Sequence, residues 1–312
     1  LAHIDRRRRP ENRIGFALQL CALRHPGRML VPGEVIPLAV STFLGAQLGI
    51  AGATLVRYAV RRQTRQQHME VLRSVYGYRT FPGQGPRAQA FREWLFAEAE
   101  QARSNDDLAR RFIARCRDTM TILPAITTIE RLCADALVAA ERRIERRIAE
   151  RLSSATCARL DELTTEMLPG TISRFIWLRR IEPGNNSAAA NRLLDRLEFL
   201  RAMDLDAGLL AGVPPHRVAR LRRQGERYFA DGLRDLSADR RRAILAVCII
   251  EWATATADAV IETHDRIVGR TWREAKQLHD TRVADSRGGV TATLWCLAAL
   301  GGSLLEAHGD GA

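Results

Sequence analysis

Apolar residues recur along most of this chain at the spacing of an α-helix. Near the start, Ile14, Leu18 and Cys21 stand at i, i+4 and i+7, which gives residues 12–25 one apolar face. Pro26-Gly27 is predicted to end that helix. No segment alternates convincingly with the period of two that a half-buried strand requires, and no internal repeat is visible. The pattern predicts an all-α, multi-helical fold.

The same spacing predicts further helices. They are expected at residues 36–48, 65–76, 127–152 and 239–269. Thr64 with Gln67, and Thr127 with Glu130, have the spacing of a capping box, in which the first side chain accepts a hydrogen bond from the helix start. They are predicted to begin two of these helices, and Ser187 is predicted to cap another.

Two stretches rich in Pro, Gly and Asn predict linkers, at residues 81–86 and 182–186. They divide the chain into two or three small helical subdomains. The predicted subdomains are 1–81, 87–181 with the long helix, and 187–312.

Positive charge is concentrated at the start of the chain. The 312 residues carry a formal net charge of +12, and the first 80 hold 13 arginines against four acidic residues, which is +9 of that total. A concentrated positive segment is typical of a protein that binds a polyanion. The alternative is a solvated surface that keeps the protein in solution. The Arg bias itself, with Lys276 the one lysine, is also what a GC-rich genome produces.

Several motifs resemble one family, in order along the chain. Residues 12–21, Asn-Arg-Ile-Gly-Phe-Ala-Leu-Gln-Leu-Cys, followed by Leu23-Arg24-His25-Pro26-Gly27-Arg28, resemble the opening signature of the Tn3 family (class II) of replicative transposases. Tyr58, Arg61, Thr64-Arg65 and His68 match its Tyr-x-x-Arg-x-x-Thr-Arg-x-x-His pattern. Residues 194–201, Leu-Asp-Arg-Leu-Glu-Phe-Leu-Arg, are also similar, so the resemblance covers essentially the whole chain.

The resemblance implies a function. In that family an all-helical N-terminal region grips the terminal inverted repeats, and an RNase H-like domain with an Asp-Asp-Glu metal site lies in the C-terminal half. This chain is therefore expected to be the DNA-binding part, which binds double-stranded DNA in transposition and is not itself an enzyme. No cofactor is expected here, although full-length members use Mg²⁺. The resemblance further implies a homodimer in the full-length protein, no membrane partner, and a bacterial cytoplasmic, nucleoid-associated location.

The candidate DNA contacts are mostly arginines. Arg6–Arg9 are predicted to form a flexible cationic arm that follows a groove or the backbone, and Arg57 and Arg61 would project together at i, i+4. The predicted DNA-binding residues are Arg6, Arg7, Arg8, Arg9, Arg13, Arg24, Arg28, Arg57, Arg61, Arg62, Thr64, Arg65, His68, Arg79, Arg217 and Arg220. The sequence leaves open which of them touch phosphate and which touch bases.

Other chemistry is weighed against structural explanations. Asp258, Glu262 and Asp265 share a helix face, but an acidic face paired with Arg266 and Arg270 explains them better than a metal site. His68 is expected either beside a phosphate on the helix surface or packed in the core, rather than on a metal. The six cysteines have no zinc-ligand spacing and are expected to be reduced, mostly core thiols.

Two other functions stay open. The helices at 127–152 and 239–269 could serve a dimerisation or inhibitory module of a truncated transposase. The uncharged segment 35–56 could anchor a basic membrane-associated protein, although Pro37, Gly45 and Gly49 interrupt it. Two short helices around a glycine turn explain that segment better.

Overall fold

The computed structural model describes residues 2–31, 34–57, 62–169 and 172–309. It divides into two compact units, one up to Glu145 and one from Arg146 onwards. The first contains α1 (Ala2–Asp5), α2 (Pro10–Arg24), α3 (Leu38–Leu48), a 3-10 helix (Gly52–Arg57), α4 (Arg62–Tyr76), α5 (Pro86–Gln101), α6 (Asn105–Asp118) and most of α7 (Ile126–Glu150).

The second unit is also helical. It contains α8 (Ser154–Glu162), a two-stranded antiparallel hairpin of β1 (Met167–Leu168) and β2 (Ile172–Ser173), α9 (Arg174–Arg179), α10 (Ser187–Ala202), a 3-10 helix (Ala207–Leu210), α11 (Pro215–Arg227), α12 (Ala230–Arg234) and α13 (Ala238–Gly309). The hairpin pairs Met167 with Ser173 and Leu168 with Ile172. The all-α prediction is confirmed, since this short hairpin is the one sheet in the described part of the chain.

The described residues of unit one form three hydrophobic clusters. In the first, Phe16 and Leu23 of α2 pack with Leu72 of α4, and in the second Ile14 and Leu18 of α2 pack with Leu44 of α3. In the third, buried residues of α5, α6 and α7 come together. These are Leu95, Ala99, Ala102, Leu108, Phe112, Cys116, Ile129, Cys133, Ala136 and Ala140.

Unit two is built on the first third of α13. Residues 243–249 of that helix are at most 1% exposed, and α10 and α11 pack against it. Helix α11 approaches closely at Gly225, where a Cβ atom would overlap Cys248 Sγ and lie 3.2 Å from Ile244 Cγ2. On the other side Asp161 of α8 accepts hydrogen bonds from Arg241 at 3.0 Å and Arg242 at 2.7 Å.

The predicted helix starts are wrong by one to three residues. Thr64 is the third residue of α4, because that helix begins at Arg62, and so it caps nothing. The amide of Ile129 donates to the Ala125 carbonyl at 3.2 Å, which puts the cap of α7 at Ala125 rather than Thr127. At α10, the Asn186 side chain accepts from the Ala189 amide at 2.8 Å, so Asn186 is the cap and Ser187 the first helical residue.

The two units divide at a different place from either predicted linker. The Phe81 ring packs on Phe91 at 5.1 Å and on Phe112 at 5.5 Å, whereas residues 83–86, before and at the start of α5, are exposed. In residues 182–186, the Gly184 amide donates to Thr263 Oγ1 of α13 at 3.2 Å. The division of the chain into subdomains at these two segments stays a prediction.

Segment 35–56 is not one helix. Helix α3 ends at Gly49, which adopts φ +66° and ψ +34°, the left-handed conformation that favours glycine. With 11 residues, α3 is too short to span a bilayer.

Helix α13 is much longer than the predicted 239–269 helix, because it continues to Gly309 without a Pro to stop it. Among the described helices, it alone has the length and hydropathy of a possible membrane span. An 18-residue stretch within Ala238–Ser303 has a mean hydropathy of 1.8 and is 56% buried. Core helices of globular proteins also meet these criteria.

The close approach at Gly225 can be tested by substitution. Gly225→Ala should destabilise the protein by about 1–3 kcal/mol, because overlap with Cys248 outweighs the better helix propensity of alanine. Gly269→Ala is the matched control, since nothing in the described structure lies within 4 Å of its Cβ position, and it should be neutral or slightly stabilising. Urea unfolding checks both. Equal effects of the two variants would contradict the packing.

Candidate nucleic-acid interface

Helix α4 has a sharply defined inner face. Arg65, His68 and Leu72 are spaced at i, i+3 and i+7, and His68 and Leu72 are 2% and 0% exposed. The His68 ring meets the Phe16 ring of α2 edge to face, with centroids 5.2 Å apart. This contact fixes the rotation of α4 about its own axis, and so also fixes which residues it turns outwards.

The segment before α2 lies against this core. Ile4 is 7% exposed, and the Arg7 guanidinium stacks over the Phe16 ring at 4.8 Å. Asp5 pairs with Arg13 at 2.9 Å. The predicted flexible arm is therefore docked on the core, because Ile4 is buried there and Arg7 stacks on Phe16.

The other predicted arm residues remain open. Arg6, Arg8 and Arg9 are exposed, as are Arg24 and Arg79. Arg24 stacks over Tyr76 at the end of α4, with 5.8 Å from its guanidinium to the ring centroid.

Two of the arginines predicted to contact DNA instead hold the loop that follows α2. Arg28 Nη1 donates to Glu34 Oε2 at 2.8 Å, and this hydrogen bond lowers the pKa of Glu34 to about 2. Arg65 is half-buried and donates to the Leu30 carbonyl. Both guanidiniums are thus engaged within the protein.

His68 is packed, which is one of the two placements the sequence left open. Burial, with a smaller effect of the Arg7 charge, lowers its pKa from 6.5 to about 4. The ring is therefore neutral at physiological pH and offers a phosphate no charge.

Some predictions fall where less is described. Arg57 and Arg62 lie in described helical backbone, and Arg61 lies outside the described residues, so the Arg57–Arg61 pairing stays a prediction. Thr64 is half-buried in the first turn of α4.

In unit two the predicted pair, one turn apart on α11, differs in exposure. Arg217 is 4% exposed, on the face where Leu221 and Gly225 pack, whereas Arg220 is exposed. Arg223 and Arg227 follow Arg220 at i+3 and i+7 and are exposed on the same face.

One of the two predicted arginine pairs forms on the acidic face of α13. Glu262 pairs with Arg266, whereas Arg270 pairs with Glu274 at 3.6 Å, and Asp265 Oδ1 lies 3.4 Å from His264 Nδ1. No group of three or more His, Cys, Asp or Glu residues within the described ranges has the geometry to hold a metal ion. Cys116, Cys133 and Cys248 are buried free thiols, whereas Cys21 and Cys296 are exposed.

The sequence prediction missed the outer face of α4. Gln63, Gln66, Gln67 and Glu70 are all exposed, opposite His68 and Leu72. Helical periodicity alone could have found them, because they stand at i, i+3, i+4 and i+7. The prediction followed charge instead, and charge led to Arg65 and His68 on the inner face.

Known proteins similar to the chain are transposases. A family model described as a domain of unknown function (DUF4158) matches residues 1–136. The whole chain is 31% identical to the transposase for transposon Tn3926 of Escherichia coli and 30% identical to that for transposon Tn501 of Pseudomonas aeruginosa, and it spans 31% of the length of each. Over 84% of its length it is 30% identical to the transposase for transposon Tn1546 of Enterococcus faecium, of which it covers 27%. It thus spans less than a third of these relatives.

The burial of His68 predicts a pH-dependent stability. Its folded pKa of about 4 lies below the ordinary value of 6.5, so the unfolded chain binds the proton more readily. The stability that neutral, buried His68 contributes to the fold is complete above pH 6.5 and is lost as the pH falls towards 4. Relative to His68→Leu, the wild-type protein should lose about 2 kcal/mol between pH 7 and pH 4.5. Urea unfolding of both at the two pH values measures this, and parallel pH profiles would contradict it.

Proposed function

We propose that the chain belongs to the Tn3 family of transposases, binds double-stranded DNA at the terminal inverted repeats of a transposon and acts in DNA transposition. This role implies a place in the bacterial cytoplasm, on the nucleoid. The observation that carries the proposal is the pairing of an open helix face with exposed arginines in the most basic part of the chain.

The exposed arginines suit a phosphate backbone. Arg6, Arg8, Arg9 and Arg24 stay open on either side of the contact between α2 and α4, while Arg7 holds the segment in place. A segment docked at Ile4 and Arg7 presents its exposed arginines with less loss of chain entropy than a free arm would. Such contacts position a protein on DNA without selecting a sequence.

Helix α4 suits the major groove. It has 15 residues and an outer face of polar side chains, and a B-DNA major groove of about 12 Å admits one α-helix. A helix in the major groove beside an N-terminal basic segment on the backbone or minor groove is a known mode of DNA binding.

A further contact is proposed on α11 of unit two. Arg220, Arg223 and Arg227 form an exposed basic stripe, opposite the face that packs on α13 at Gly225. Arg217 is not proposed as a DNA contact, because it lies on the packed face of α11.

Self-association is a second candidate, favoured by one observation. Beyond Gly269, α13 exposes large apolar side chains. They include Trp272, Leu278, Val290, Leu294, Trp295, Leu297 and Leu300. Exposed apolar surface of this extent usually marks an interaction site. Sedimentation at several protein concentrations tests this candidate, since a monomer throughout would exclude it.

Loss of the proposed phosphate contacts should weaken binding to all DNA alike. Arg8→Ala, Arg9→Ala and Arg24→Ala should each flatten the dependence of log affinity on log salt by about one unit. Arg110→Ala, at an exposed arginine of α6, is the control and should change neither the affinity for DNA nor its dependence on salt. Fluorescence anisotropy with the terminal repeat that flanks the gene, and with a scrambled duplex, measures both quantities. If the three variants match Arg110→Ala, the contact surface lies elsewhere, and Arg220→Ala becomes the next test.

The strand-transfer chemistry is proposed to reside in the part of the relatives that this chain does not match. That chemistry needs clustered carboxylates that hold divalent metal ions, as full-length family members do with Mg²⁺. The purified chain should therefore neither nick nor join DNA with Mg²⁺ or Mn²⁺, as assayed on supercoiled plasmid. Metal-dependent nicking that disappears in Asp258→Asn or Glu262→Gln would overturn this.

A further inference from the structure

The outer face of α4 is chemically unlike the other open faces of unit one. Gln63, Gln66, Gln67 and Glu70 form a continuous exposed stripe over two helical turns. The chain has ten glutamines, and three of them fall among these four positions. The open faces of α6 and α7 carry arginines instead, such as Arg110 and Arg142, and the open face of α3 is apolar, with Leu38 and Phe43 exposed.

One arginine of α4 is turned inwards. Arg65 lies between the glutamines in sequence, yet it is half-buried and donates to the Leu30 carbonyl. Arg73 is half-buried at i+3 from Glu70, at the edge of the stripe. The four residues of the stripe carry a single charge, that of Glu70. Among the described residues no hydrogen bond or ion pair engages these four side chains, so their amide and carboxylate groups are available to a ligand.

The available groups match base edges rather than phosphates. A Gln side chain can donate to N7 and accept from N6 of the same adenine, and a Glu carboxylate accepts from the cytosine N4 amine. A carboxylate facing a phosphate would be repelled, so Glu70 excludes the backbone as the partner of this face. A merely solvated face remains the competing explanation, and it makes a different experimental prediction.

We propose that the outer face of α4 contacts base edges in the major groove, with Gln63, Gln66, Gln67 and Glu70 as the residues that determine sequence preference. This inference rests on the proposed DNA binding and deepens it, because it separates the base contacts from the arginine contacts. It also assigns chemistry to positions: adenine opposite the glutamines and cytosine opposite Glu70.

The test uses the full chain and a pool of DNA duplexes with a random 25-base-pair centre. Selection with wild-type protein gives a preferred sequence, and selection is repeated with Gln63→Ala, Gln66→Ala, Gln67→Ala and Glu70→Ala. Each variant should lose preference at one or two positions and bind the wild-type sequence about 5- to 100-fold more weakly. Affinity for scrambled duplex and the salt slope should not change, which distinguishes a base contact from a phosphate contact. All four positions are exposed, and circular dichroism confirms that each variant folds.

Gln101→Ala is the matched control, at an exposed glutamine of α5, and should select the wild-type sequence. If wild type selects a sequence and the four variants select the same one, the α4 assignment is overturned while the proposed function stands. If wild type binds DNA without selecting any sequence, or does not bind, the proposed function fails and the inference fails with it.

Discussion

The edge-to-face contact between Phe16 and His68 is the constraint on which the arrangement of the first unit depends. A buried histidine is tolerated there because it stays neutral, and the neighbouring Arg7 guanidinium on Phe16 helps to keep it so. The same contact joins α2, α4 and the N-terminal segment at one point. Because Leu72 continues that packing one turn later, α4 cannot rotate without exposing apolar surface. Its polar face is therefore held towards solvent by the core behind it.

The fold was largely predictable from the sequence, whereas its boundaries were not. The apolar periodicity identifies α2, α4, α7 and α13, because burial of one stripe is what makes an amphipathic helix stable. The starts of α4, α7 and α10 were misplaced, since several residues in a row can cap a helix and tertiary packing selects one. Residues 81–86 were predicted as a linker, and residues 81–85 are neither helix nor strand. That the Phe81 ring would pack on Phe112 depends on a partner 31 positions away, which local pattern does not reveal.

The candidate site was predicted only in outline. Charge located the basic segment correctly, but the sequence could not show which guanidiniums stay open. A long flexible side chain forms hydrogen bonds with an acceptor that the fold brings close to it. For Arg65 this is the Leu30 carbonyl, and for Arg28 it is the Glu34 carboxylate. The outer face of α4 was predictable, by contrast, because it follows from the 3.6-residue repeat once the inner face is known. Arginine-rich sequence drew attention away from it.

The difference between the net charge and the charge on exposed, unpaired side chains affects how the protein would select a DNA sequence. Two of the four acidic residues in the first 80 are paired, Asp5 with Arg13 and Glu34 with Arg28, so each pair presents little field to a distant polyanion. What remains is a small set of exposed arginines beside a face of amides. Arginines attract any duplex and set the affinity, whereas amides gain only where the base edge matches them. A protein that must find one end sequence among many duplexes needs both. In this chain a single aromatic contact holds the two sets of groups beside each other.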